Sequence, residues 1–210
     1  MADFLSTALG EFNQNSLLEL AAVILAIAYL LLAVRQNIAC WYAAFISTAI
    51  FLHVFWQVNL YMESGLQVYY LGMAVYGWWA WQRGGSEGKP GLTVITWSPL
   101  HHLVVIGAVV VATFVSGNLL SGTEQRLGYL DSFTTWGAVA ATFMVTRKVL
   151  ENWLYWIVID SASLYLYFDR ELYFTMLLFL VYLVIIFFGL RSWLAEYRLE
   201  AINDPTRPNK

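Results

Sequence analysis

Apolar residues come in seven stretches of about 20, at 17–34, 38–57, 60–82, 101–120, 127–146, 150–168 and 172–193. A hydrocarbon core of about 30 Å is crossed by about 20 helical residues, so each stretch predicts one membrane-spanning helix. Charged residues gather between the stretches instead of recurring at helical spacing, the pattern of spans joined by short loops. The longest break, between Arg83 and Trp97, carries Gly84, Gly85, Ser86, Gly88, Pro90 and Gly91 and reads as an exposed linker.

The stretches also repeat. A shift of 112 positions lays residues 19–81 over 131–193: Arg35 meets Arg147, Trp41 meets Trp153, Leu52 meets Leu164, Leu60 and Tyr61 meet Leu172 and Tyr173, Tyr70 meets Tyr182, Gly77 meets Gly189 and Trp81 meets Trp193. Trp, Arg and Gly in register over three successive spans indicate duplication of a helical triad, with the fourth span unpaired. The fold class expected is an all-α membrane protein of seven helices in a 3+1+3 parallel repeat. Its expected parts are an extracytoplasmic segment 1–16, a first repeat 17–82, a loop, linker helix (101–120) and outer loop within 83–126, a second repeat 127–193 and a cytoplasmic tail 194–210.

Composition agrees with a membrane protein: 60% of residues are hydrophobic, 17% aromatic and 12% charged. Basic loops stay on the cytoplasmic side. Of the 11 basic residues, Arg35, Arg83, Lys89, Arg147, Lys148, Arg191, Arg198, Arg207 and Lys210 fall on one side, and only Arg126 and Arg170 on the other. The amino terminus is therefore expected outside and the carboxyl terminus inside. Asp3 and Glu11 precede the first span where a secretory leader would be basic, so no cleaved signal is expected.

Polar groups inside the spans are costly unless they face a cavity or a partner. In the third span Glu63, Gln67 and Tyr70 stand at i, i+4 and i+7, one helix face; in the sixth, Trp153, Trp156 and Asp160 stand at i, i+3 and i+7, beside Asn152. Asp160, Gln67 and Tyr70 come out near the midplane, where transport sites lie. Aromatic rings mixed with hydrogen-bonding groups form a pocket for a polar aromatic solute. In the first repeat Thr48 takes the place of Asp160, and Cys40 that of Asn152.

Each position also has a plain structural reading. Trp153 serves either the pocket or the interface as an anchor, Glu63 either the pocket or a solvated outer mouth, and Gln67 either the pocket or an interhelical bond. Cys40 is read as a core residue and His53 as a bonded helix residue; His101 and His102 sit at the inner end of the fourth span. No nucleotide-binding or HExxH motif, catalytic constellation or metal cluster is present, so neither enzyme activity nor any cofactor or nucleic-acid partner is expected. A retinal protein would need a lysine in its last span, and Lys89, Lys148 and Lys210 all lie in loops or tail.

The runs Thr146-Arg147-Lys148 and Glu151-Asn152-Trp153-Leu154-Tyr155-Trp156 through Asp160, with Leu60-Tyr61, Leu66-Gln67-Val68 and Tyr76-Gly77-Trp78-Trp79-Ala80-Trp81, resemble the Pnu family of bacterial vitamin transporters. The family includes nicotinamide riboside (PnuC) and thiamine (PnuT) branches. The resemblance implies a full-length, SWEET-like homotrimer in the bacterial inner membrane that moves its vitamin by facilitated diffusion, a cytoplasmic kinase then trapping it. It also carries the family's site onto Asn152, Trp153, Trp156 and Gln67. In the nicotinamide riboside pattern an Asn stands where this chain has Asp160, and a small or neutral residue where it has Glu63.

Thiamine and nicotinamide riboside are both cationic, aromatic and polar, and each would stack on Trp with about 0.5–2 kcal/mol per contact. The extra carboxylates favour thiamine, whose aminopyrimidine offers them a donor; nicotinamide riboside is the alternative. Asp160, Glu63, Glu19 and Asp131 leave a proton-coupled carrier as the alternative mechanism.

Overall fold

The computed structural model describes residues 14–57, 61–84, 91–120, 128–169 and 173–203, with 14–16, 61–63, 120, 173–175 and 203 described by backbone alone. Seven helices fill them: α1 (Gln14–Val34), α2 (Ala39–Gln57), α3 (Tyr61–Arg83), α4 (Pro99–Leu120), α5 (Gly128–Thr146), α6 (Asn152–Asp169) and α7 (Tyr173–Asn203). They match the seven expected spans closely. Glu87, Lys89 and Pro90 of the linker, Arg126, Arg170, and the chain ends before 14 and after 203 lie outside the described residues.

Four helices are long and apolar enough to cross a membrane by composition: Leu17–Val34 of α1, Ala39–Gln57 of α2, Pro99–Leu119 of α4 and Met176–Ile202 of α7. The other three are diluted by polar residues, such as Gln67 in α3, Thr142 in α5 and Asp160 in α6. These are the helices that carry most of the candidate site. Helix α7 runs ten residues past the expected end at 193, because Leu194, Ala195, Glu196, Arg198, Leu199, Glu200 and Ala201 are all strong helix formers. At 31 residues it is about 46 Å long, more than a hydrocarbon core.

The chain divides into two compact units, Met1–Trp78 and Trp79–Lys210. In the first, α1 packs on α2, where the Ser47 hydroxyl donates to the Ala22 carbonyl at 2.7 Å. In the second, α4 packs on α5, α5 on α6 and α6 on α7. Helix α4 starts cleanly because Pro99 needs no N–H partner at a first helical position. It is joined to α5 by polar contacts: the Trp136 indole donates to Ser116 Oγ at 3.1 Å and the Tyr129 hydroxyl to Asn118 Oδ1 at 2.9 Å.

The helix ends repeat at the 112-residue shift in backbone detail. Gln36 and Lys148 are the two non-glycine residues at positive φ among the described residues, at 52° and 51°. Gln36 N–H donates to the Ala33 carbonyl and Asn37 N–H to that of Leu32; Lys148 N–H donates to Val145 and Val149 N–H to Met144. Both are Schellman caps, closing orphan carbonyls of α1 and α5. The next helix then starts in the same way, with Cys40 N–H donating to Asn37 and Asn152 N–H to Val149.

Candidate functional site

On α6 the candidates fall on one stripe. Asn152, Trp153, Ile159, Asp160, Ser163 and Leu166 are the buried residues of this helix, and at 100° per residue Trp156 lies in the middle of their face. Yet Trp156 is partly exposed. Its ring thus keeps free surface although it is centred on the buried face of the helix.

Three buried polar groups lie along the same stripe. Asn152 is 0% exposed; its Nδ2 donates to the Val149 carbonyl at 2.6 Å, and its Oδ1 has no partner. The Trp153 indole N–H is likewise buried without an acceptor. Asp160, 3% exposed, forms no hydrogen bond or ion pair with another described residue. It stands eight residues after Asn152, about 12 Å along an 18-residue helix, and so near the middle of the span. Buried polar groups in a native protein are normally satisfied, so Asn152 Oδ1 and the Trp153 indole N–H, with Asp160 on the same stripe, are candidates for contact with a solute or water.

Packing fixes where this stripe points. The Trp153 ring lies in a notch of α7: a Cβ on Gly189 would stand 2.5 Å from it, so only glycine fits there. Trp193 meets the same ring edge-on at 5.4 Å, and Trp81 packs on Trp193 at 6.1 Å. Trp153 is thus a lock between helices as well as a neighbour of the orphan groups. The first unit repeats the lock, with the Trp41 ring 2.4 Å from the position of a Gly77 Cβ.

Both locks set a register. Two turns beyond the Trp153–Gly189 lock, counting in opposite directions along α6 and α7, Asp160 comes opposite Tyr182; the same count from Trp41 and Gly77 leads to Thr48 on α2 and Tyr70 on α3. The Tyr182 phenol interacts electrostatically with the Asp160 carboxylate. Tyr182 also meets Phe179 at 5.5 Å, which meets Tyr167 at 5.0 Å, forming an aromatic row beside Asp160. Sequence reasoning selected Tyr70 and missed Tyr182, although the 112-residue shift maps one onto the other.

In the first unit Thr48 is buried, and Gln67 and Tyr70 are half-buried on α3. Tyr29 of α1 interacts electrostatically with Cys40 and Tyr70 and packs on Trp41 at 6.0 Å. Glu63 belongs to α3 by its backbone, and its side chain lies outside the described residues. The α6 candidates thus share one stripe in the second unit, while Thr48 lies on α2 and Gln67 and Tyr70 on α3 in the first.

Among the described residues no group of three His, Cys, Asp or Glu is placed to hold a metal. Comparison with known proteins finds membrane transporters. "Nicotinamide riboside transporter PnuC" of Escherichia coli (strain K12) is 26% identical over 193 residues, covering 80% of each chain. "Riboflavin/roseoflavin transporter RibM" of Streptomyces davaonensis is 26% identical over 184 residues, covering 85% of this chain and 84% of that one. The fold resembles that in "Crystal structure of the Vitamin B3 transporter PnuC", with a TM-score of 0.69 and 21% identity over 92% of this chain and 87% of that one. The family model for "Nicotinamide mononucleotide transporter" matches residues 16–195, all seven helices up to Trp193 included. The chain belongs to the nicotinamide mononucleotide transporter family, and it is a multi-pass membrane transporter, not an enzyme.

Proposed function

We propose that the protein takes up a cationic aromatic vitamin, thiamine in the first place, across the bacterial inner membrane by facilitated diffusion. The observation that carries this reading is Asp160, a carboxylate buried in mid-span that forms no hydrogen bond or ion pair with another described residue and has the Tyr182 phenol beside it. A lone carboxylate in that setting is costly, and a substrate that brings a positive charge and an N–H donor relieves the cost. Thiamine brings both, a thiazolium cation and an aminopyrimidine. Trp156 supplies a ring face for it, Trp153 the wall behind, and Asn152 Oδ1 an acceptor; Gln67, Tyr70, Glu63 and Thr48 are the substrate-binding residues proposed in the first repeat.

Nicotinamide riboside is the second reading, favoured by the relatives that carry its name. A neutral flavin would leave Asp160 without a counter-charge. The architecture proposed with this function is a 3+1+3 repeat in a homotrimer, amino terminus outside, with the lipid bilayer as its only other structural partner. A facilitator only equalises concentrations, so net uptake needs chemical conversion inside; phosphorylation by a cytoplasmic kinase does this by adding negative charge that the site does not accept.

Titration of the purified protein's tryptophan fluorescence with thiamine, nicotinamide riboside and riboflavin in parallel tests the assignment. Thiamine is expected to bind most tightly, by about tenfold over riboflavin. Tightest binding of riboflavin would overturn the cationic-substrate reading. In proteoliposomes the bound vitamin is expected to equilibrate and stop; uphill accumulation after a pH step would establish the proton-coupled alternative.

A further inference from the structure

The segment between α3 and α4 is strapped onto the turn that precedes the site. Ile95 N–H donates to the Lys148 carbonyl at 3.0 Å, and Leu150 N–H to the Ile95 carbonyl at 2.8 Å. Val94 and Val149 are fully buried at this crossing. Immediately beyond it, Glu151 joins three elements. Its Oε2 accepts from Trp97 N–H in the strap at 3.3 Å, and its Oε1 lies 3.8 Å from His102 Nε2 on α4. His102 Nδ1 in turn shares a 2.9 Å hydrogen bond with the Tyr155 hydroxyl, one turn further along α6. The Trp97 ring packs on His102 at 5.9 Å and Phe143 at 6.4 Å, and the His102 and Glu151 side chains are each only 21% exposed.

The fold alone does not call for this carboxylate. At the corresponding place in the first repeat stands Ala39, and the start of α2 is held by Asn37 Oδ1, which accepts from Ala39 N–H at 2.9 Å. In the second repeat Val149 replaces Asn37, so that side-chain cap is gone and Glu151 ties the helix start to its neighbours instead. The residues that follow at once are Asn152 and Trp153.

We propose that Glu151 is a positioning residue for the substrate site: through Trp97 N–H and His102 it clasps the strap and α4 to the first turn of α6, and so fixes where Asn152, Trp153 and Trp156 stand. The Val149 carbonyl that holds the Asn152 amide belongs to the same strapped turn, so slackening the turn turns Asn152 Oδ1 away from the stripe. The inference rests on the reading of that stripe as a vitamin site.

Two readouts on the full-length protein in detergent test it. Hydrogen exchange over residues 149–156, without ligand, is expected to be about tenfold faster in Glu151→Ala than in the wild type, and restored by Glu151→Gln, which keeps the acceptor for Trp97 N–H. Fluorescence titration with thiamine and with nicotinamide riboside is expected to show affinity lost about tenfold in Glu151→Ala and recovered within about threefold in Glu151→Gln. Should Glu151→Ala fail to fold, His102→Ala breaks the clasp from α4 and is expected to move both readouts the same way. Unchanged exchange overturns the proposal, and so does faster exchange with unchanged affinity, since Glu151 would then serve only the fold. A wild type that binds neither vitamin fails the vitamin reading, while the exchange experiment still decides whether the clasp exists.

Discussion

The turn after α1 and the turn after α5 share one backbone and differ in what holds it. Both place an L-residue in the left-handed region, Gln36 at φ 52° and Lys148 at φ 51°, and both close with the same Schellman hydrogen bonds. The first turn then caps the next helix locally through Asn37. The second has no such cap; it is pinned from outside by Ile95, Glu151 and the Lys148 ammonium, which lies 4.6 Å over the Trp81 ring. Downstream, Cys40 and Thr48 in one repeat stand against Asn152 and Asp160 in the other. The extra fastening and the buried amide and carboxylate occur in the same half, as expected where a polar site has to be held rigid.

The sharpest way to break this comparison is at the glycine notches. Adding a methyl group at Gly77 or Gly189 puts it about 2.4–2.5 Å from a tryptophan ring that is itself 1–2% exposed and has no room to withdraw. Each substitution to Ala is expected to lower stability by about 1–3 kcal/mol, read as a fall in thermal unfolding temperature in detergent. Only Gly189→Ala moves Trp153, the neighbour of Asn152, and it is expected to weaken vitamin binding by a further factor of about ten or more. Equal loss of binding in Gly77→Ala would show that the site is shared evenly between the repeats.

A second set of four substitutions separates function from packing, Asp160 and Thr48 being the equivalent positions among them. Asp160→Asn is expected to weaken a cationic vitamin about tenfold while raising the unfolding temperature of the ligand-free protein, because it removes an uncompensated buried charge. Trp156→Ala is expected to lose about tenfold in affinity through lost stacking, without that stabilisation. Thr48→Val should change affinity by no more than about twofold, and Tyr182→Phe by about threefold, as the loss of one neutral hydroxyl. An Asp160→Asn protein that binds normally and melts lower would make Asp160 a structural residue.

What was legible in the sequence follows from periodicity. Spans of about 20 apolar residues have no other use in a chain this hydrophobic, and the 112-residue shift brought Trp41, Gly77, Trp153 and Gly189 into correspondence before their contacts were known. Asn152, Trp156 and Asp160 were likewise visible as candidates, since polar and hydrogen-bonding side chains within the spans are few. The strap was not, because a two-bond crossing of Ile95 with Leu150 and Lys148 leaves no period to read. Tyr182 was missed for a different reason: tyrosine is common in these helices, and its match to Tyr70 in the repeat gains weight only with the register set by the Trp153 notch. The length of α7 was underestimated because propensity carries it on after hydrophobicity has ended.

The finest test of the comparison lies in the two strained turns themselves. A residue with a Cβ at positive φ costs about 1–2 kcal/mol that glycine does not incur, less what glycine loses in the unfolded chain. Gln36→Gly is therefore expected to stabilise the protein by about 0.5–1 kcal/mol. Lys148→Gly relieves the same strain, but removes a buried lysine, 8% exposed, whose ammonium is seated on the Trp81 ring, an interaction of about 0.5–2 kcal/mol. The two effects oppose each other, and the net change should be near zero or slightly destabilising. The difference between the two variants, measured by thermal unfolding in one detergent, thus isolates what Lys148 adds to the second turn. If both glycines stabilise equally, the cation over Trp81 contributes nothing, and the extra fastening of that turn rests on Ile95 and Glu151 alone.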